Sequence, residues 1–215
     1  MGQHNFAELR KAMVASQLRT TAVNDPRVVE AMSLVPRERF VTADRAGLAY
    51  LDIPQPLGEG RSLPEPMVLG RLLTEARVRP QDRALVIGSG SGYAAAVLAR
   101  LAASVVALEE DASLVAIGAS ELPASVTQVS GPLAAGWAAA APYDVILFDG
   151  AVENIPQAII DQLADGGRIA VALVQNGVTR LAIGRRVAGS FGISPFVEVE
   201  APILPGFAVA EGFRF

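Results

Sequence analysis

Three glycines and one carboxylate carry the chemistry this chain announces. Gly88, Gly90 and Gly92 alternate with Ser89 and Ser91, directly after the apolar run Ala84-Leu85-Val86-Ile87. Glycine at alternate positions lets the backbone take positive φ and lets a ligand approach it closely. The turn opens onto an alanine-rich segment from Tyr93 that reads as a helix, whose free N–H groups favour a carboxylate or phosphate. Glu109 ends the next apolar run, Val105-Val106-Ala107-Leu108, 21 residues after Gly88. A carboxylate there can accept from both hydroxyls of a ribose. The combination reads as a nucleotide-type site. Its plain alternative is a strand–turn–helix with a solvated Glu109. Dinucleotide folds want G-x-G-x-x-G, and here Tyr93 stands where the third of those glycines would be.

The elements that must position these residues alternate along the chain. Phe6, Leu9, Met13, Val14 and Leu18 give residues 5–18 a helical face. Asn24-Asp25-Pro26 starts a second helix, ended by Pro36. Residues 50–66 hold Pro54, Pro56, Pro64 and Pro66 with Gly58 and Gly60, so neither a regular helix nor a central strand fits them. Their apolar residues suggest an ordered, docked loop of the kind that carries function. A helix over 67–76 leads into the strand before the glycines. Helices over 111–122 and 155–163 and strands over 126–130, 145–148 and 168–174 follow. Asn176-Gly177 signals a hairpin into a strand over 179–187, and residues 207–215 read as a last alternating strand. This order predicts a doubly wound, mostly parallel α/β sheet with an N-terminal helical extension and antiparallel edge strands. Residues 1–79 would form the helical and loop region and 80–215 the ligand-binding domain, as one compact unit.

Composition narrows the function further. The 215 residues carry a net charge of −4, with no cysteine and a single histidine, His4. That leaves no thiolate chemistry, and a His-based triad or metal site is not expected, so no metal is assigned. The charge is +2 through Arg83 and −6 from Ala84 onward, without a basic stripe, which argues against a nucleic-acid partner. No apolar run approaches the roughly 18 residues of a membrane span, and the N-terminus has no signal-peptide core. A cytoplasmic protein is the expectation; the oligomeric state is not legible.

The spacing G-x-G-x-G is similar to that of Rossmann-like S-adenosylmethionine (SAM) methyltransferases, and further motifs point to one family of them. Val35-Pro36-Arg37-Glu38-Arg39-Phe40-Val41, Ala49-Tyr50-x-Asp52-x-Pro54 and Leu57-Gly58-x-Gly60 resemble the N-terminal signature of protein-L-isoaspartate O-methyltransferases. So do Asp82-Arg83-x-Leu85-x-Ile87 with the glycine turn, Gly136-Trp137, Ala141-Pro142-Tyr143-Asp144, Ile155-Pro156 and Leu163-Ala164-x-Gly166-Gly167-Arg168. The resemblance spans about residues 10–181. It implies a Rossmann-like fold, SAM as cofactor with S-adenosylhomocysteine (SAH) as product, and a protein or peptide substrate bearing an isoaspartyl carboxylate. Methylation there would make an ester that collapses to succinimide.

The resemblance also assigns roles. Gly88, Ser89, Gly90, Gly92, Tyr93 and Glu109 would hold the cofactor with Gly131. Asp149 is a cofactor candidate by its place at a strand end, with a substrate contact or a plain turn-forming Asp-Gly as its alternatives. Ser62 would orient the substrate carboxylate. Three departures bear on this. The family's Thr-Ile-Ser-x-Pro loop reads Ser62-Leu63-Pro64-Glu65-Pro66. Its strand carboxylate two before the first glycine is Val86. Its Gly-Asp-Gly reads Gly131-Pro132-Leu133. They suggest a divergent paralogue with a changed pocket. Because a carboxylate is already an anion at neutral pH, methyl transfer to it needs no general base. A lost hydroxyl contact costs orientation, about 1.5–3 kcal/mol, or roughly one to two orders of magnitude in rate. The readings carried forward are an active carboxyl methyltransferase and a non-catalytic SAM-binding or interaction paralogue. A nicotinamide oxidoreductase is disfavoured by the spacing and the lack of a sheet-end histidine. Arg61 reads first as a surface residue, with neutralising a substrate carboxylate as its functional alternative, and Trp137 as core.

Overall fold

The computed structural model describes residues 5–209. His4 and residues 210–215 lie outside them. Helix α1 spans Phe6–Met13 and continues as a π-helical turn over Val14–Leu18. Helix α2, Pro26–Leu34, begins where Asn24-Asp25-Pro26 placed it, with the Asp25 carboxylate accepting from the Arg27 N–H at 2.9 Å. The proline-rich stretch is more regular than expected. It contains a short hairpin, β1 (Gln55–Gly58) against β2 (Arg61–Leu63), which forms its own two-stranded sheet. Helix α3 (Pro66–Ala76) follows.

The central sheet holds seven strands. They are β3 (Arg83–Ile87), β4 (Ser104–Glu109), β5 (Val126–Ser130), β6 (Tyr143–Val152), β7 (Leu163–Gln175), β8 (Val178–Val187) and β9 (Ser190–Glu198), in the order β5-β4-β3-β6-β7-β8-β9. The first five are parallel; β8 and β9 add on antiparallel. Asn176 and Gly177 take φ of 52° and 76°, the conformation a two-residue hairpin turn needs. Helices α4 (Tyr93–Leu98), α5 (Ala112–Gly118) and α6 (Gln157–Ile160) connect the parallel strands.

Strand periodicity divides the core. Ala84, Val86, Val145 and Leu147 face a layer containing Met32, Leu73 and Val97 from the helices, including the N-terminal ones. Leu85, Ile87, Ile146 and Phe148 face the opposite layer with Ile159, Leu204 and Phe207. Buried on both faces, these strands read as continuous apolar runs, which is why the sequence marked them.

Three expectations need correction. Among the described residues the last strand is β9; Phe207–Val209 carries no strand, and the rest of the expected 207–215 strand lies outside the described residues. The helix expected over 111–122 is α-helical to Gly118 and tightens to a 3-10 turn over Ala119–Glu121; at Gly118 the backbone comes so close to Ser91 that an added Cβ would lie 2.3 Å from its carbonyl oxygen. Helix α6 is a single turn, and β7 already begins at Leu163. After β9 the chain returns across the sheet. Ala151 of β6 donates to the Pro202 carbonyl at 2.6 Å and accepts from the Leu204 N–H at 2.8 Å. Among the described residues no helix is long and apolar enough to cross a membrane.

Candidate active site

The carboxyl ends of β5, β4, β3 and β6 lie side by side and bring the expected residues to one edge. Glu109 pairs with Ser130, which precedes Gly131; Ile87 pairs with Phe148, which precedes Asp149. Gly88 and Ser89 both donate backbone hydrogen bonds to the Leu108 carbonyl at 3.0 Å, hooking the glycine turn onto β4. Gly88 and Gly90 have φ of 71° and 52°, which disfavours any side chain at either position. Gly92 caps α4, and Tyr93 behind it is fully buried, edge-on to Phe40. Tyr93 therefore packs under the turn.

Glu109 is 1% exposed, and its carboxylate is crowded with donors. It accepts from the backbone N–H groups of Gly90 at 2.7 Å, Glu110 at 3.0 Å and Asp111 at 3.3 Å. It also accepts from both terminal nitrogens of Arg61, at 3.0 and 3.2 Å. Arg61 donates once more to the Gly88 carbonyl at 3.0 Å. The surface placement expected for Arg61 is thus wrong. A buried arginine must have its charge and donors satisfied, and folding the hairpin onto the turn gives Arg61 the Glu109 carboxylate and the Gly88 carbonyl.

Asp149 is buried at the same edge. Burial, with Glu109 adding to it, pushes its carboxyl up to about 7 against the opposing pull of Arg61 and Arg37. Arg37, also buried, reaches the Ala49 carbonyl at 2.7 Å and the Pro64 carbonyl at 2.6 Å and lies over the Tyr93 ring at 4.9 Å. It therefore fastens the 62–66 loop from below. Arg37 was not singled out as a site residue from the sequence, and Arg61 only as a candidate partner of a substrate carboxylate, not of Glu109. The only signal for Arg37 was its place in the Val35–Val41 motif. Ser62 is half-buried between two buried neighbours on β2. Adjacent strand residues face opposite ways, so Ser62 stands on the other face of the hairpin from Arg61 and is not brought to Glu109. Gly131 abuts the partly buried Trp137, whose ring would lie 3.4 Å from a Cβ added there. Pro132 beside it is exposed.

The turn, the buried strand-end carboxylate and the parallel sheet define a Rossmann-like SAM-dependent methyltransferase. Residues 8–200 match the family model of protein-L-isoaspartate(D-aspartate) O-methyltransferase (PCMT). The protein-L-isoaspartate O-methyltransferase of Methylorubrum extorquens (strain PA1) is 39% identical over 210 residues, covering 95% of this chain and 92% of that protein. That of Koribacter versatilis is 37% identical over 188 residues, covering 86% and 85%. The chain belongs to this family. The fold agrees: a Plasmodium falciparum family structure in complex with S-adenosyl-L-homocysteine superposes with a TM-score of 0.79 at 18% identity, covering 94% of this chain and 99% of that one.

The residues present suit SAM in kind. The turn is a cradle open only to glycine, and the carboxylate sits at the end of the adjacent strand. They do not suit it in their present arrangement. A carboxylate offers about four acceptor positions, and five donors already converge on Glu109.

Proposed function

We propose that the protein esterifies the α-carboxylate of isoaspartyl residues in damaged proteins or peptides, acting in the cytoplasm. The observation that carries this reading is the meeting of two motifs distant in sequence. The 55–66 segment, which carries the family's substrate-loop position at Ser62, packs through Arg61 on the glycine turn and Glu109. The two motifs thus meet in one part of the fold, which supports a shared site for cofactor and substrate, although Ser62 itself faces away from Glu109.

In this reading the backbone of Gly88, Ser89, Gly90 and Gly92 receives the cofactor and Glu109 takes the ribose. Gly131 borders the adenine, and Tyr93 supports the turn from beneath. Bound SAM supplies a methyl group on a sulfonium, open to displacement by a carboxylate oxygen. The chain's own task is to align that oxygen and exclude water. Ser62 can donate a hydrogen bond to the substrate carboxylate, and Arg37 holds the adjacent Pro64 carbonyl so that the loop keeps its shape. Asp149, near neutrality in its titration, stands beside the turn where a cationic cofactor group would favour its charged form.

The test is methyl incorporation from labelled SAM into an isoaspartyl peptide and its aspartyl twin. Incorporation into the isoaspartyl peptide alone, cut at least ten-fold in Ser62→Ala, is expected. Equal labelling of both peptides, or of neither, refutes the assignment.

A further inference from the structure

The side chains that cover the glycine turn come largely from one unit of structure, the β1–β2 hairpin. Arg61 from β2 sits on Glu109 and the Gly88 carbonyl. A Cβ added at Gly88 would lie 3.2 Å from Arg61 Nη2, and one at Gly90 would lie 3.4 Å from Leu57 Cδ1 of β1. Both strands of the hairpin therefore place a side chain over the cradle. Leu204, from the returning strand-like segment, closes it further, within 2.7 Å of a Cβ at Gly88.

The hairpin forms no backbone ladder with the central sheet; its side chains alone hold it, with Leu57 and Leu63 in the core and Arg61 on Glu109. Its turn runs through three positive-φ residues, Gly58, Glu59 and Gly60. Its base is fixed: Arg37 grips the Pro64 carbonyl immediately after β2. Withdrawn about that base, Arg61 would reach water, so opening leaves no arginine buried without a partner. Glu109 would keep three backbone N–H donors and regain about one of its four acceptor positions for a ribose hydroxyl.

We propose that Arg61 is a latch residue: it occupies the ribose-facing side of Glu109, and the cofactor enters only after the β1–β2 hairpin has withdrawn it. This rests on the reading of Glu109 as the ribose ligand. A ligand that binds only the open form has its affinity reduced by the fraction of molecules that are open. Removing the latch must therefore tighten the cofactor, the reverse of what loss of a binding residue does.

The experiment is calorimetric titration of SAH into the full chain and into Arg61→Met, which keeps the length and loses the pairing. Ten-fold or tighter binding by Arg61→Met is expected. Arg61→Lys, retaining a cation without the two-pronged contact, should fall between. SAH binding that Arg61→Met leaves unchanged or weakens overturns the latch while sparing the cofactor assignment. Absence of SAH binding in every protein removes both. Stopped-flow fluorescence of Trp137, the only tryptophan, tests the latch on the wild type even where a variant fails to fold. If opening precedes entry, the observed association rate levels off at high SAH; a rate that rises linearly throughout overturns the proposal.

Discussion

Arg61 and Glu109, 48 positions apart in the chain, form a two-pronged buried pair at 3.0 and 3.2 Å that joins the β1–β2 hairpin to the end of β4. The carboxylate that a nucleotide would use is therefore also the hairpin's anchor. Substitutions there act on two equilibria, and the direction of each effect tells them apart.

Glu109→Gln should weaken SAM binding by more than ten-fold, although it also loosens Arg61. Amide oxygen and nitrogen cannot both accept from a ribose diol, and a lost charge-assisted bond costs about 1.5–3 kcal/mol. Calorimetry decides this, and an unchanged dissociation constant would show that the ribose is held elsewhere.

Pro132→Asp should tighten SAM. Pro132 follows Gly131 at the end of β5 with φ of −59°, which aspartate adopts freely, and its side chain is exposed beside the site. Proline has no side-chain acceptor for the adenine amino group. Paired titrations of wild type and variant are the measurement; weaker binding by the variant would mean that another residue fills this role.

Asp149 makes stability depend on pH. Its folded carboxyl titrates at about 7 because burial disfavours the charge, above the unfolded range near 4. Between those values the folded chain binds a proton that the unfolded chain has released. The stabilisation is complete below about 4 and is lost as pH rises through 7. From pH 5 to 8 this group should remove about 3 kcal/mol, at 1.36 kcal/mol per pKa unit. Urea unfolding at both pH values should show that fall in wild type and its absence in Asp149→Asn. Parallel pH profiles for the two proteins would contradict the assignment.

Asp82→Ala should destabilise the fold by about 3–5 kcal/mol, the cost of stranding one member of a buried ion pair. Arg168 on β7 is buried against Asp82 and also donates to the carbonyls of Ala76 at 2.9 Å and Arg77 at 3.2 Å, tying α3 to the sheet. Asp82→Ala combined with Arg168→Met should lose less than the two single changes summed. Denaturant midpoints across the four proteins measure the coupling.

Local chemistry made much of this protein legible in its sequence. The glycine turn needs no distant partner to declare itself, because positive φ at Gly88 and Gly90 is a property of those residues. Strands buried on both faces, such as Ala84-Leu85-Val86-Ile87, announce themselves by composition, and Asn176-Gly177 marks its turn by conformation. β9 escaped because most of its residues are exposed or half-buried on the sheet edge and leave only a weak apolar pattern. The contacts that cover the glycine turn and fix the loop beside it were not legible as contacts. Arg61 on Glu109, Arg37 on the Pro64 carbonyl and Leu204 over Gly88 join positions 48, 27 and 116 residues apart. No periodicity encodes such pairings. An arginine reads as solvated until folding places a carboxylate within reach of it, and only the closed chain sets which carboxylate that is.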